Sequence, residues 1–244
     1  MSESRAIIEI NGLTKIYGLL PVLKSLDLSI MQGEFVALLG PNGSGKSTLL
    51  RLMSGLSKPT QGHIQIGGWA MPSEAMAVRG QIGMVSHKPL LYENLTAYEN
   101  LNFFAKLYDL DATTREERIR ALLRQVGLHK RSSSLVRTFS RGMQQRLSIA
   151  RALIHEPDVL FFDEPYTGLD QDAGDMLDDL LKSAHTDNRT IVMTTHQLHK
   201  VPMLANRAVI LSRGKVAYDD KVGNITASEF GTIYTQATGT ASTR

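Results

Sequence analysis

An α/β fold with a helical insertion is what this 244-residue sequence predicts. Three observations carry it. The apolar run Phe35-Val36-Ala37-Leu38-Leu39 reads as a buried strand; a glycine-rich loop follows at 40–48, and Leu49, Leu50, Leu52 and Met53 then fall at helical spacing. Apolar strand-like runs recur at 82–85, 159–162, 190–194 and 208–212, two of them after a helical stretch. Between about 89 and 154 strands give way to charged, helix-periodic sequence.

Taken in order, residues 6–10 and 22–30 alternate apolar with polar, as half-buried strands do. Residues 62–68 give a strand ending in Gly67-Gly68, and Ile82-Gly83-Met84-Val85 another, so the first third reads as a mixed sheet around the loop. Thr96 is placed to cap a helix opening at Ala97. Residues 113–126 carry Ile119, Leu122, Leu123 and Val126 on one face, and Gly127 ends that helix. A third helix over 141–154 presents Met143, Leu147, Ala150, Leu153 and Ile154, and Pro157 stops it. After the strand at 159–162 come a helix at 174–185, strands at 190–194 and 208–212, and a turn at Arg213-Gly214-Lys215. This is one domain over 1–225, a core of 1–88 and 155–225 with an inserted helical lobe of about 65 residues at 89–154. In the tail, 226–244, residues 227–235 are expected to dock as a short helix and the last eight to be disordered.

Composition narrows the function classes. A formal charge of +3 without a clustered Lys/Arg stripe gives no reason to expect nucleic acid. The chain has no cysteine, which excludes disulfides, thiolate catalysis and Cys-based zinc sites. Met1-Ser2-Glu3-Ser4-Arg5 lacks the apolar core of a signal peptide, and no run has the roughly 18 apolar residues of a membrane span. Work at a membrane is therefore expected from the cytoplasmic face, through another chain.

The loop Gly40-Pro41-Asn42-Gly43-Ser44-Gly45-Lys46-Ser47-Thr48 has the spacing G-x-x-x-x-G-K-S/T of a phosphate loop. Glycines at 40, 43 and 45 allow positive φ and bring backbone N–H groups close to an anion. With the N-terminus of the next helix, those donors wrap the α- and β-phosphates of a nucleotide. Lys46 carries a point charge to the β- and γ-phosphates, the Ser47 hydroxyl takes one site on Mg²⁺, and Thr48 can bond a further oxygen.

Asp163 and Glu164 end the apolar run Val159-Leu160-Phe161-Phe162, at the strand end where ligands collect in open α/β sheets. Two carboxylates there also suit a solvated loop. Beside a phosphate loop, Asp163 is placed to hold Mg²⁺ and Glu164 to deprotonate the water that attacks the γ-phosphate.

Further segments complete a recognisable order: Phe139-Ser140-Arg141-Gly142-Met143-Gln144-Gln145-Arg146 upstream of the carboxylates, Thr167-Gly168-Leu169-Asp170 downstream, and His196 after a strand. Over roughly 5–220 the sequence resembles the ATP-binding cassette family, the nucleotide-hydrolysing subunits of transporters. The resemblance implies a RecA-like phosphate-loop core with an antiparallel β subdomain and an inserted α-helical subdomain. It also implies ATP and Mg²⁺ as ligands, integral membrane permease subunits as partners, and a head-to-tail homodimer. In that dimer each ATP lies between the loop of one chain and Ser140, Gly142 and Gln144 of the other, and Asp170 links the two sites. Tyr17 matches the adenine-stacking aromatic and His196 the histidine that bonds the γ-phosphate. Read by themselves, Ser140 and Asp170 are also good helix caps and Tyr17 an ordinary exposed tyrosine.

One departure stands at 87, where the family usually has a glutamine that touches Mg²⁺ or the attacking water and this chain has His87. A neutral ring nitrogen can act as metal or water ligand, but the ring gains charge near pH 6 and then repels the metal. His87, with the strings SRGMQQRLSIARAL and DEPYTGLD, resembles the ATPase subunit of the haem exporter used in cytochrome c maturation. Exporters of drugs, lipids or polysaccharides share these strings. A non-transport cassette ATPase acting on DNA or ribosomes is the alternative reading, but DNA-acting ones usually separate the motifs with long coiled coils, ribosome-associated ones usually carry two cassettes where this sequence shows one, and a kinase shares only the loop.

Overall fold

The computed structural model describes residues 6–86, 88–186 and 188–239, and strand pairing sorts the chain into two sheets. Strands β1 (Ala6–Tyr17), β2 (Leu20–Met31), β4 (Gln61–Ile66) and β5 (Trp69–Met71) form an antiparallel sheet in the order β2-β1-β4-β5. The second sheet, in the order β10-β9-β3-β8-β7-β6, contains β3 (Phe35–Leu39), β6 (Ile82–Val85), β7 (Val159–Asp163), β8 (Thr190–Thr194), β9 (Arg207–Ser212) and β10 (Lys215–Lys221). It is parallel except where β10 returns against β9 as a hairpin. The single mixed sheet that the strand patterns suggest for the first third is therefore corrected, and the antiparallel β subdomain that the resemblance implies is present. The alternating strands, with one polar face, pair among themselves, while the wholly apolar β3 goes to the middle of a sheet covered on both sides.

Period-two geometry divides β3 and β7 between two cores. Phe35, Ala37, Leu39, Leu160 and Phe162 pack with the helices described next. Val36, Leu38, Val159 and Phe161 pack against helix α1 (Lys46–Met53) and the inner face of the antiparallel sheet. Phe161 and Phe162 are each almost fully buried, which stabilises the domain by about 1.5–3 kcal/mol per side chain.

Between β6 and β7 run α3 (Ala97–Leu107), α4 (Ala112–Gln125) and α5 (Arg141–Leu153). Thr96 and Glu99 form a reciprocal capping box on α3, Asp111 accepts from the first-turn amides of α4, and Ser140 caps α5. Helix α6 (Gln171–Thr186) precedes β8 and begins three residues before the expected 174, because Asp170 caps it. The short helices α2 (Ala75–Gln81) and α7 (Val201–Leu204) went unread in the sequence; each has barely one or two turns of pattern. Helix α8 (Ala227–Thr238) corrects the tail, since it carries residues 237 and 238, expected to be disordered. The Thr226–Glu229 capping box starts it, Phe230 is fully buried in the core, and Gly239 at φ 68° closes it. The remainder of that expectation, 240–244, lies outside the described residues. Among the described residues no helix is long and apolar enough to cross a membrane.

Candidate nucleotide site

The loop between β3 and α1 lies at the carboxyl end of the parallel sheet, and two of its three glycines are required by close packing. Gly40 has φ 142°, and a Cβ there would meet the Leu211 carbonyl oxygen at 2.2 Å. Gly45 has φ 109°, and its Cβ would meet Leu23 Cδ2 at 2.6 Å. Gly45 opens α1 without any side-chain cap, so the first-turn amides of the helix are left for an anion. Lys46 Nζ donates to the carbonyl oxygens of Gly40 (2.7 Å) and Pro41 (3.3 Å), which folds the side chain back over the loop. Burial lowers its pKa, and the charges of Glu164 and Asp163 oppose that shift. Ser44 is buried, and its hydroxyl has no partner among the described residues.

A cavity of about 440 Å³ opens on this loop. It gathers Tyr17, Asn42, Gly43, Gly45, Lys46, Ser47, Thr48, Glu164 and His196 from among the expected residues. Tyr17, 47% exposed, stands at its edge with Leu20 and Val22, and the Lys15 ammonium lies 4.7 Å from its ring centre.

The carboxylates arrive on β7. Asp163 Oδ1 accepts from Ser47 Oγ at 3.2 Å and from Thr194 Oγ1 at 2.9 Å. Two hard oxygens, Ser47 Oγ and Asp163 Oδ1, thus converge beside the loop, a donor set that fits Mg²⁺, which takes few protein ligands and completes its shell with phosphate and water. Glu164 sits at φ 51°, a strained conformation for a non-glycine residue, held by its own N–H donating to Thr194 Oγ1 at 2.9 Å. His196 Nε2 stands 3.1 Å from Glu164 Oε1 without hydrogen-bond alignment, so that buried carboxylate oxygen has an ion-pair neighbour but no hydrogen-bond partner among the described residues. Burial raises the pKa of Glu164, and His196 and then Lys46 pull it back. A carboxylate so placed can take a proton from a water in the cavity.

The second group of expected residues lies apart from the first. Ser140 Oγ accepts from Met143 N at 3.3 Å, and a Cβ on Gly142 would come 3.1 Å from Ala173 at the start of α6. Gln144 is half-buried on α5, and Asp170 Oδ1 accepts from Ala173 N at 2.9 Å. Ser140, Gly142, Gln144 and Asp170 are all absent from the cavity of their own chain. Arg141, a cation without an evident task in the sequence, lays its guanidinium over Gly168, where a Cβ would come 2.7 Å from Nε. His87 lies outside the described residues.

The family model for ABC transporters matches residues 23–167. The chain belongs to the ABC transporter family. It is similar to the Nod factor export ATP-binding protein I of Cupriavidus pinatubonensis, 37% identical over 226 residues, covering 93% of this chain and 70% of that protein. To the linearmycin resistance ATP-binding protein of Bacillus subtilis it is 34% identical over 210 residues, covering 86% of this chain and 68% of the relative. An ATP-binding cassette solved as a dimer in a post-hydrolysis state with ADP and Pi superposes with a TM-score of 0.81 at 30% identity, covering 88% of this chain and 98% of that one. The ATP-binding subunit described here is accordingly an ATPase.

Thr194 is the residue of this ATPase that the sequence left unread. Its hydroxyl serves both carboxylate residues at once. The signal existed, a polar residue closing the apolar run Thr190–Thr194, but only the parallel register pairing Asp163 with Thr194 shows what it meets.

Proposed function

We propose that this chain powers export by hydrolysing ATP in a head-to-tail homodimer, bound at the cytoplasmic face of the membrane to separate permease subunits. One observation carries the proposal. The cavity of a single chain holds the phosphate loop, Glu164 and His196 but no residue of the Ser140-capped helix N-terminus, a second anion site left facing elsewhere. A second copy supplies it. Each ATP then has its β- and γ-phosphates on the loop amides and Lys46, its adenine against Tyr17, and its γ-phosphate closed off by Ser140, Gly142 and Gln144 of the other copy, with Asp170 joining the two sites. Glu164 takes the proton of the attacking water, and His196 holds the γ-phosphate in line. Mg²⁺, when bound, neutralises charge on the phosphate oxygens; Ser47 and Asp163 would hold it, with His87 as the further ligand the sequence suggests.

Export as the direction is supported by the names of the relatives, which concern Nod factor export and linearmycin resistance. Haem as cargo rests on His87 and two sequence strings alone, while those relatives name other cargoes, so the reading is kept at export. A membrane partner is supported by an apolar cleft of about 220 Å³ between β6, α3 and α5, lined by Leu56, Met84, Leu90, Phe104, Tyr108 and His155 among others. Leu56 and Leu90 are more than half exposed at its rim, as a surface awaiting an apolar helix would be.

Complementation tests the shared site. Lys46→Ala and Ser140→Arg chains should each be inactive alone, and mixing them should restore turnover, because the mixed dimer rebuilds one whole site from the intact loop of one chain and the intact Ser140 of the other. A mixture as inactive as its components would overturn the reading.

A further inference from the structure

Lining a second cavity, distinct from the nucleotide cavity, are three side chains that ATP hydrolysis as described does not use, Tyr166 and Asp178 buried and Lys200 part-buried. Tyr166 (6% exposed) donates from Oη to Asp178 Oδ1 at 2.5 Å, and Lys200 Nζ donates to Asp178 Oδ2 at 2.5 Å. The Lys200 ammonium also lies 5.0 Å from the centre of the Tyr166 ring. Asp178 is itself 7% exposed, so both its oxygens are committed inside the protein.

The three residues belong to three elements, and two of these carry the reactive groups. Tyr166 sits in the turn that follows Glu164, where Thr167 N donates to Glu164 O at 3.2 Å and Leu169 N to Tyr166 O at 3.1 Å. Lys200 ends the turn that follows His196, where Gln197 N donates to Thr195 Oγ1 and Lys200 N to Gln197 O, both at 3.0 Å. Asp178 stands on α6, a sixteen-residue helix packed in the core. A buried ion pair is a weak source of net stability, since desolvation of both charges offsets most of their attraction. What it does well is fix register, because Asp178 satisfies both partners only when the two turns stand in one relative position.

We propose that Asp178 is a positioning residue for ATP hydrolysis: by tying Tyr166 and Lys200 to α6 it holds the turns of Glu164 and His196 together, and so sets the 3.1 Å approach of His196 Nε2 to Glu164 Oε1. This rests on the roles given above to Glu164 and His196. Neither Asp178 nor Lys200 touches the nucleotide cavity, so the link acts on geometry and leaves the phosphate grip alone.

The test uses the full chain with Mg-ATP. Asp178→Asn keeps the shape of the side chain but cannot accept from Lys200 with its amide nitrogen. Its kcat should fall about 10- to 100-fold, the range expected when reacting groups are displaced by around an ångström, with KM and the affinity for a non-hydrolysable analogue changed less than about twofold. Lys200→Met should show the same split, and Lys200→Arg should recover most of the loss. The decisive measurement is made in a His196→Ala background. If Asp178 acts through His196, the double variant turns over no more than about twofold slower than His196→Ala alone. Should Asp178→Asn fail to fold, Lys200→Met, whose site is reached from the surface, carries the same double-variant comparison. Independent, multiplying losses, or a normal kcat in a folded Asp178→Asn protein, would overturn the proposal. A His196→Ala protein with normal turnover would instead strike the role given to His196 and remove the route through which Asp178 is said to act.

Discussion

Replacing Thr194 with valine removes one oxygen and almost no volume from a fully buried position, and its consequences can be counted bond by bond. The Glu164 N–H, now bonded at 2.9 Å, loses its acceptor at a part-buried position, which costs about 1–3 kcal/mol. The Asp163 carboxylate loses a charge-assisted donor at 2.9 Å, worth about 1.5–3 kcal/mol in a dry setting. Asp163 is half-exposed and keeps Ser47 Oγ, so the second loss belongs near or below its lower limit. The total is about 3 kcal/mol of unfolding free energy, readable as a fall in the urea midpoint at unchanged slope. Turnover should fall more than about tenfold, since the φ 51° conformation of Glu164 loses the bond that holds it. Thr194→Ser restores both bonds and should return most of the turnover. A Thr194→Val protein within about 0.5 kcal/mol of the parent would show that the hydroxyl neither holds Glu164 nor supports Asp163.

Glu164→Gln should keep nucleotide affinity and lose at least about 100-fold in turnover, checked by single-turnover hydrolysis beside analogue titration; normal turnover would show that another group takes the proton. The same substitution has a pH signature in stability. Burial raises the Glu164 pKa above its usual 4.5, so its contribution to folding is fully present below the unfolded value and is lost as pH rises through the folded one. Glu164→Gln should therefore melt higher than the parent at neutral pH, with the gap closing towards pH 4.5; a gap independent of pH would contradict the shift. Lys46→Ala should fail at binding, read by titration with a fluorescent ATP analogue, because the side chain and the loop carbonyls it holds both belong to the phosphate cradle. Phe230→Ala empties the contact that docks α8 and should cost about 3–5 kcal/mol by chemical denaturation, whereas a loss under about 1 kcal/mol would mean that the helix is dispensable to the core.

Legibility followed the range of the forces involved. The phosphate loop could be read from nine consecutive residues because its chemistry is local: glycines for positive φ, a lysine and a hydroxyl at fixed offsets, an apolar strand before and a helix after. Helix starts at Thr96 and Ser140 were legible for the same reason, as each side chain caps amides within three residues of itself. The division into two sheets came only with the family resemblance and not from the strand patterns, because β3 pairs with β8 and β9, more than 150 residues away in sequence, and alternation in one strand says nothing of which neighbour it takes. Nor could Thr194 or the Tyr166–Asp178–Lys200 group be singled out. The sequence by itself determined which residues can grip a phosphate and where the chain turns into helix. Only the tertiary structure decided that Asp163 would face Thr194, that Asp178 would receive Lys200, and that Ser140 would lie off the cavity of its own chain, because those meetings depend on how distant strands and helices pack.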